Sequence, residues 1–336
     1  MKNFASIFLV LMLFTSCEKF QDNPEITRIP GNPNTSFNKH ILEGHFVISI
    51  AFDSKGNAWI GTFKQGLIKY NSTETIIYDS SNSLFPDSQV IWDVAVDSKD
   101  IVWIGAEGII EFDGQDFIFH NTQNSSIPED FVHSIAVDSK DNIWFTSCRF
   151  RQGGIVKYDG STWEVFTPEN SDLPVNFVQS IAVDQNDKVW LALGEIVNNS
   201  YLTEITENNW KTYTNEDLGF APYYLSEIAV NSHNEVCVGV DYSLSSTWYH
   251  SGPQVFVFDG NSSIQLMIDS TRSVDGLAID NEDNIWCTIG QGFAVYNWEK
   301  WIRNDSIFRE SGSFEIVQAP DNAIWIGTGD GIYINE

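Results

Sequence analysis

Short apolar runs that stop at an acidic turn and resume at a tryptophan recur along nearly the whole chain. Ile50-Ala-Phe-Asp53 leads to Trp59, Val94-Ala-Val-Asp97 to Trp103, and Ile135-Ala-Val-Asp138 to Trp144. Ile181-Ala-Val-Asp184 leads to Trp190 and Leu277-Ala-Ile-Asp280 to Trp286, always six residues on from the Asp. Two degenerate copies place Cys237 after Ile228-Ala-Val-Asn231, and Trp325 after Val317-Gln-Ala319. Within one unit, residues 131–166, β-branched and aromatic runs alternate with the breaks DSKDN, RQGG and DG, which predicts about four short strands. The 3.6-residue apolar rhythm of helices is absent.

The Trp slots fall at 59, 103, 144, 190, 237, 286 and 325, at intervals of 39 to 49 residues. Four strands per repeat at that period predict a β-propeller. The fold expected is therefore all-β: a seven-bladed β-propeller of four-stranded antiparallel blades. The last repeat stops after its third strand, while residues 35–41, TSFNKHI, precede the first repeat and read as a lone strand. Pairing the two would complete the last blade and protect its edge.

Composition adds a compartment and a charge. Residues 1–16 read as an export signal: Lys2, an apolar run too short to span a bilayer, then Thr15 and Ser16 before Cys17. Small residues followed by Cys resemble the lipobox of bacterial lipoproteins, with Phe14 in place of the usual Leu, a relaxation seen in lipoproteins of Bacteroidetes. That resemblance implies lipidation at Cys17 and an outer-membrane lipoprotein facing the periplasm or the outside. Residues 17–34 are polar and contain Pro and Gly, the composition of a flexible tether, and 35–336 form the propeller domain. The three remaining cysteines, Cys148, Cys237 and Cys287, match no zinc spacing and read as buried, unpaired small hydrophobes.

With 46 acidic against 18 basic residues the net charge is −28, and loss of the leader removes Lys2 as well. Such a field excludes nucleic acid and anionic membrane surfaces as partners, so any membrane contact runs through the N-terminal lipid alone. Recurrent Asp in the turns accounts for much of the charge.

The stretches NSSIPEDFVHSIAVDSKDNIWF and NSDLPVNFVQSIAVDQNDKVWL, with WIGTFKQGLIKY and WIGTGDGIYI, resemble two-component regulator propeller repeats. The resemblance covers residues 35 to 336. It implies a periplasmic sensor-type propeller of the kind found in hybrid two-component systems, often linked to polysaccharide use. Such systems continue into immunoglobulin-like, transmembrane and kinase modules. The present sequence shows none after its last blade, so a binding role without direct signalling is expected.

Propellers bind at the channel mouth, so positions that break the repeat there are candidates. Two places before each Ile-Ala-Val run stand Ile48, Trp92, His133, Gln179, Ser226, Asp275 and Phe314. The next slot holds Ser49, Asp93, Ser134, Ser180, Glu227, Gly276 and Glu315. These side chains either recognise a ligand or pack between blades. The loops between second and third strands of blades three to five are long and contain Arg149, Arg151, Tyr242, Trp248 and Tyr249. Trp92, His133, Gln179, Asp275 and these five residues form the expected ligand site, with aromatic faces for a glycan or another small polar ligand and an Arg for a carboxylate. A protein partner on the same loops is the alternative. No cofactor is expected and no catalytic motif appears. The turn 280–284, DNEDN, lacks the Gly and terminal Glu of a calcium loop. The NIWFTS stretch resembles streptogramin lyase propellers, which implies a metal-dependent lyase with His133 and Asp93, Glu195 or Asp275 as its carboxylates.

Overall fold

The computed structural model describes residues 30–335 except 84, 86–88, 150–151, 196–198, 208, 242–253, 269–272 and 309–311. It contains seven four-stranded antiparallel sheets. Each of the first six blades is built from four consecutive strands, innermost first, as in Val47–Phe52, Ala58–Thr62, Leu67–Tyr70 and Thr75–Tyr78 of blade one. Blade seven takes Ser313–Gln318, Ile324–Thr328 and Gly331–Asn335 from the C-terminal end and Lys39–Ile41 from the N-terminal end. The all-β, seven-bladed expectation holds. Its closing strand is shorter than the 35–41 read from sequence, with Lys39, His40 and Ile41 facing Ile334, Tyr333 and Ile332. Before it, Asn38 N–H still donates to Ile334 O at 3.2 Å, and Phe37 packs against Trp286, Phe293 and Phe308. Further back, Asn297 Nδ2 donates to Gly31 O at 2.8 Å and Asn335 Nδ2 to Asn34 O at 2.7 Å, so residues 31–34 rest on the base of blades six and seven. Cys17 and the leader lie outside the described residues.

The core lies between blades. Trp59 packs with Val94, Ile104 and Phe112 of blade two, and Trp144 with Leu173, Ile181 and Leu191 of blade four. In the Trp slot of blade five, Cys237 packs on Leu277 and Cys287 of blade six. All three described cysteines are buried, and none of them is in a disulfide with another described residue.

The six-residue Asp-to-Trp interval has a direct cause. The indole N–H of Trp59 donates to Asp53 Oδ2 at 3.1 Å, that of Trp144 to Asp138 at 3.1 Å and that of Trp286 to Asp280 at 2.8 Å. The other carboxylate oxygen accepts backbone N–H groups of its own turn, as Asp138 Oδ1 does from Lys140 and Asn142. Charge-assisted bonds of this kind fix the turn and the tryptophan together. Asp280 is filled in the same way, by Glu282, Asn284 and Trp286. Blade seven has Ala319 at this position, and Trp325 Nε1 is buried without a partner.

A second position in each turn links neighbours. Asp100, Asp141, Asp187, Asn234 and Asp283 all have positive φ, 58° to 63°, where Asp and Asn are tolerated. All four of these carboxylates take both a backbone N–H and a hydroxyl from the preceding blade: Ser54 to Asp100, Ser98 to Asp141, Ser139 to Asp187 and Ser232 to Asp283, all between 2.5 and 3.0 Å. Only a short side chain with an acceptor meets both demands, which explains the acidic turns.

Candidate functional site at the channel mouth

The seven innermost strands converge on the central channel, and the base turns just described lie at their far ends. Their near ends carry the two variable slots. The inner slot is a stitch in four of the seven places. The backbone N–H of Val94 donates to Ser49 Oγ at 3.0 Å and Ile135 N–H to Asp93 Oδ2 at 2.7 Å. Ile181 N–H donates to Ser134 Oγ at 3.0 Å and Ile228 N–H to Ser180 Oγ at 3.3 Å. Each donor belongs to the next blade, so this slot joins blades one to five. Gly276 sits where a Cβ would come 2.9 Å from Phe314 O, because blade seven approaches closely there.

Glu227 and Glu315 occupy the same slot but are only half used. Glu227 Oε1 accepts from Ser180 Oγ and Ile228 N–H, and Glu315 Oε1 from Ile316 N–H. Neither Oε2 makes a hydrogen bond among the described residues. The channel walls surround these carboxyls, and burial pushes Asp93 up to about 6 and Glu227 up to about 7. Asp93 adds to the rise at Glu227 after burial, and Glu315 is raised well above the ordinary range by burial and by both of its acidic neighbours. Water still reaches the three side chains, which keep part of their surface open to the channel.

Above this ring runs an arc of aromatic side chains. Phe314 stacks on Phe46 at 4.8 Å, and Phe46 tilts against Phe63 at 5.2 Å. Phe63 bridges to Val90, two residues before Trp92, whose ring meets Phe131 edge-on at 5.5 Å. Phe131, His133, Phe177 and Tyr224 continue it into blade five. Phe63, Trp92 and Phe314 are 41, 38 and 38 % exposed, three of the five most exposed large hydrophobics among the described residues.

The expected site residues divide accordingly. Trp92, His133 and Gln179 are brought together on this arc, Gln179 held by the Tyr224 hydroxyl at 2.7 Å. Arg149 joins them, its guanidinium 5.7 Å from the Phe131 ring centre. Asp275 stands on the same rim in blade six, raised to about 6 by partial desolvation and then by Asp241, although it remains exposed. Arg151, Tyr242, Trp248 and Tyr249 lie outside the described residues. Much of what reads as loop in blades three and four is strand. Ile143–Arg149 and Gln152–Tyr158 pair out to Arg149 and Gln152, and Val189–Glu195 with Asn199–Thr206 out to Glu195 and Asn199. The arc residues Phe46, Phe63, Phe131, Phe177 and Tyr224 are absent from the sequence-based site. All five precede the innermost strands or follow the second ones, where a repeat-aligned scan of those loops would have found four Phe and a Tyr.

His133 is poorly placed for acid–base work. Its ring lies between Phe131 and Phe177, its Nδ1 contacts Thr146 Oγ1 at 3.1 Å, and its Nε2 is buried. Burial pushes it down to about 4, so it is neutral at physiological pH. Among the described residues no three His, Cys, Asp or Glu side chains are grouped to hold a metal, so His133, Asp93 and Asp275 do not assemble a metal centre.

Residues 41–64 match the family described as two component regulator propeller. No curated protein matches the sequence. The fold is similar to the extracellular domain of the putative one component system BT4673 from B. thetaiotaomicron, at TM-score 0.67 and 17 % identity over 90 % of this chain and 40 % of that one. It is also similar to virginiamycin B lyase from Staphylococcus aureus (TM-score 0.69, 13 % identity, 90 % and 98 % of the two chains). A third likeness is to YCF48 bound to D1 peptide (TM-score 0.66, 12 % identity, 92 % and 96 %). The chain thus spans about two fifths of the BT4673 extracellular domain.

Proposed function

We propose that this chain, a propeller similar to the sensor propellers of two-component systems, is a ligand-recognition module that holds a glycan or another small polar ligand at its channel mouth. The observation that carries this reading is the aromatic arc. Phe63, Trp92 and Phe314 expose large apolar faces at positions where the repeat demands no aromatic, and buried inter-blade packing does not need them. Aromatic faces with flanking amide and hydroxyl groups, here Gln179 and Tyr224, suit the apolar faces and edge hydroxyls of sugar rings. Among the described residues no helix is long and apolar enough to cross a membrane. Export and lipidation at Cys17 supply the anchor in this reading, and the extracellular BT4673 propeller supports a location outside the cytoplasm.

The test is a glycan-array and thermal-shift screen of the mature chain, followed by Trp92→Ala and Phe314→Ala. Both variants are expected to lose binding while melting close to the parent. Early melting with unchanged binding would reassign the arc to loop packing. In fractionation, Cys17→Ser is expected to shift the protein from membrane to soluble extracts; retention in the membrane would require another anchor. A peptide-binding scaffold is the second reading, favoured by the likeness to the YCF48 propeller with its D1 peptide, and co-purification of a partner lost in Trp92→Ala would select it.

A further inference from the structure

The carboxylates under the aromatic arc lack any cation. Asp93, Glu227 and Glu315 face one channel, and among the described residues no Lys, Arg or His forms an ion pair with any of them; the charges that act on them are one another's. Asp93 spends both oxygens on Ser49, Val94 and Ile135, so its role is to join blades. Glu227 and Glu315 each keep one oxygen outside the hydrogen-bond network. In blades one, three and four this slot is a Ser, which accepts the next blade's backbone N–H without placing charge in the wall. The arc above adds electron-rich ring faces, which attract cations. Two of them already do so from the outside: Lys64 Nζ stands 5.2 Å from the Phe63 ring centre and Arg149 stands over Phe131. Trp92, Phe46 and Phe314 have no such partner among the described residues.

We propose that the ligand of the mouth is an amino sugar, whose ammonium group is held by the open oxygens of Glu227 and Glu315 while the exposed faces of Trp92 and Phe314 take its ring. The proposal rests on the mouth being the binding site, and it specifies the charge of what binds there. An anionic saccharide is disfavoured by the same wall, because its charge opposes ionisation of two carboxyls that have no cationic partner among the described residues. A neutral one offers the open oxygens hydroxyl donors but no charge, and so gains less from them.

Three probes decide it, titrated calorimetrically against the mature chain at neutral pH: fully deacetylated chitotriose, its N-acetylated form, and spermidine as a cation without a sugar body. The deacetylated trimer is expected to bind about tenfold or more tightly than the acetylated one, the scale of one charge-assisted hydrogen bond. The double variant Glu227→Gln, Glu315→Gln should erase that preference while keeping the parent fold, checked by its melting curve and circular dichroism. Glu315→Gln alone serves if the double variant folds poorly, and should reduce the preference. Equal binding of both trimers overturns the inference and leaves the glycan reading intact. Spermidine binding as tightly as the amino trimer, with the same dependence on the glutamates, overturns the sugar body. If neither trimer binds but a glycan found on the array does, sensitively to Trp92→Ala, the inference fails and the mouth stands. An array with no binder at all fails the underlying reading as well.

Discussion

The base turns and the channel mouth are the two ends of the same seven strands, and both are rich in acidic side chains, yet they use them oppositely. At the base, each carboxylate is surrounded by donors. Burial raises Asp53, but Asn57, Trp59 and Lys55 bond it strongly enough to hold it below the ordinary carboxylate range. Asp100, Asp141 and Asp187 are lowered by the serines of the preceding blade. At the mouth, burial raises Asp93, Glu227 and Glu315, and acidic neighbours add to the rise at the two glutamates. Asp53, Asp100, Asp141 and Asp187 are thus held ionised by the bonds they accept. Mouth acids are held nearer protonation, because their surroundings oppose the charge that the base turns favour.

The comparison breaks most severely if the base ring is opened. Removing residues up to 41 strips the strand Lys39–Ile41 and Phe37 from blade seven and should cost more than about 3–5 kcal/mol, the scale of emptying one aromatic site. Removing residues up to 30 should leave the melting temperature near that of the full mature chain. Equal melting of the two truncations would mean that the closing strand contributes nothing.

Within the closed ring, Trp144→Ala should cost about 3–5 kcal/mol in urea unfolding. Asp138→Ala, which orphans the indole, the Asn142 amide and two backbone N–H groups, should cost about 2–4 kcal/mol. An Asp138→Ala protein as stable as the parent would show the turn bonds to be incidental.

At the mouth the sign reverses. Carboxyls with raised folded pKa values contribute stability that is complete below their unfolded values near 4 and is lost as pH rises through their folded values. For Asp93 and Glu227 that window runs from about 4 to about 6 and 7. Lowered base carboxyls act the other way, losing their contribution only as pH falls below about 4. Unfolding free energy should therefore decline between about pH 4 and 7. Glu227→Gln should flatten that decline by on the order of 1–3 kcal/mol. A pH profile unchanged by the substitution would remove the contrast between the two ends.

The smallest stability effect is expected for Trp92→Ala, less than about 1 kcal/mol, because the residue is 38 % exposed and lies outside the buried inter-blade clusters. Its influence should appear in ligand titration instead. A loss comparable to Trp144→Ala would make Trp92 part of the core.

What the sequence determined by itself was whatever repeats. A six-residue Asp-to-Trp interval returning every 39 to 49 residues specifies the turn, the buried indole and the number of blades, because one physical demand recurs at each copy. The lone apolar segment before the first repeat likewise told how the ring closes. The mouth was legible only in part. Trp92, His133, Gln179 and Asp275 stood out as departures from the repeat, but departure does not say which neighbour a side chain meets. Only the closed ring brings Phe314 and Phe46, nearly a whole chain apart, into a stack, and encloses His133 between two phenylalanines from adjacent blades. It also decides that Asp93 is consumed as a stitch while Glu227 and Glu315 keep an open oxygen. Equivalent slots in sequence become unequal sites in space, because burial and charge depend on what the six other blades place around the same channel.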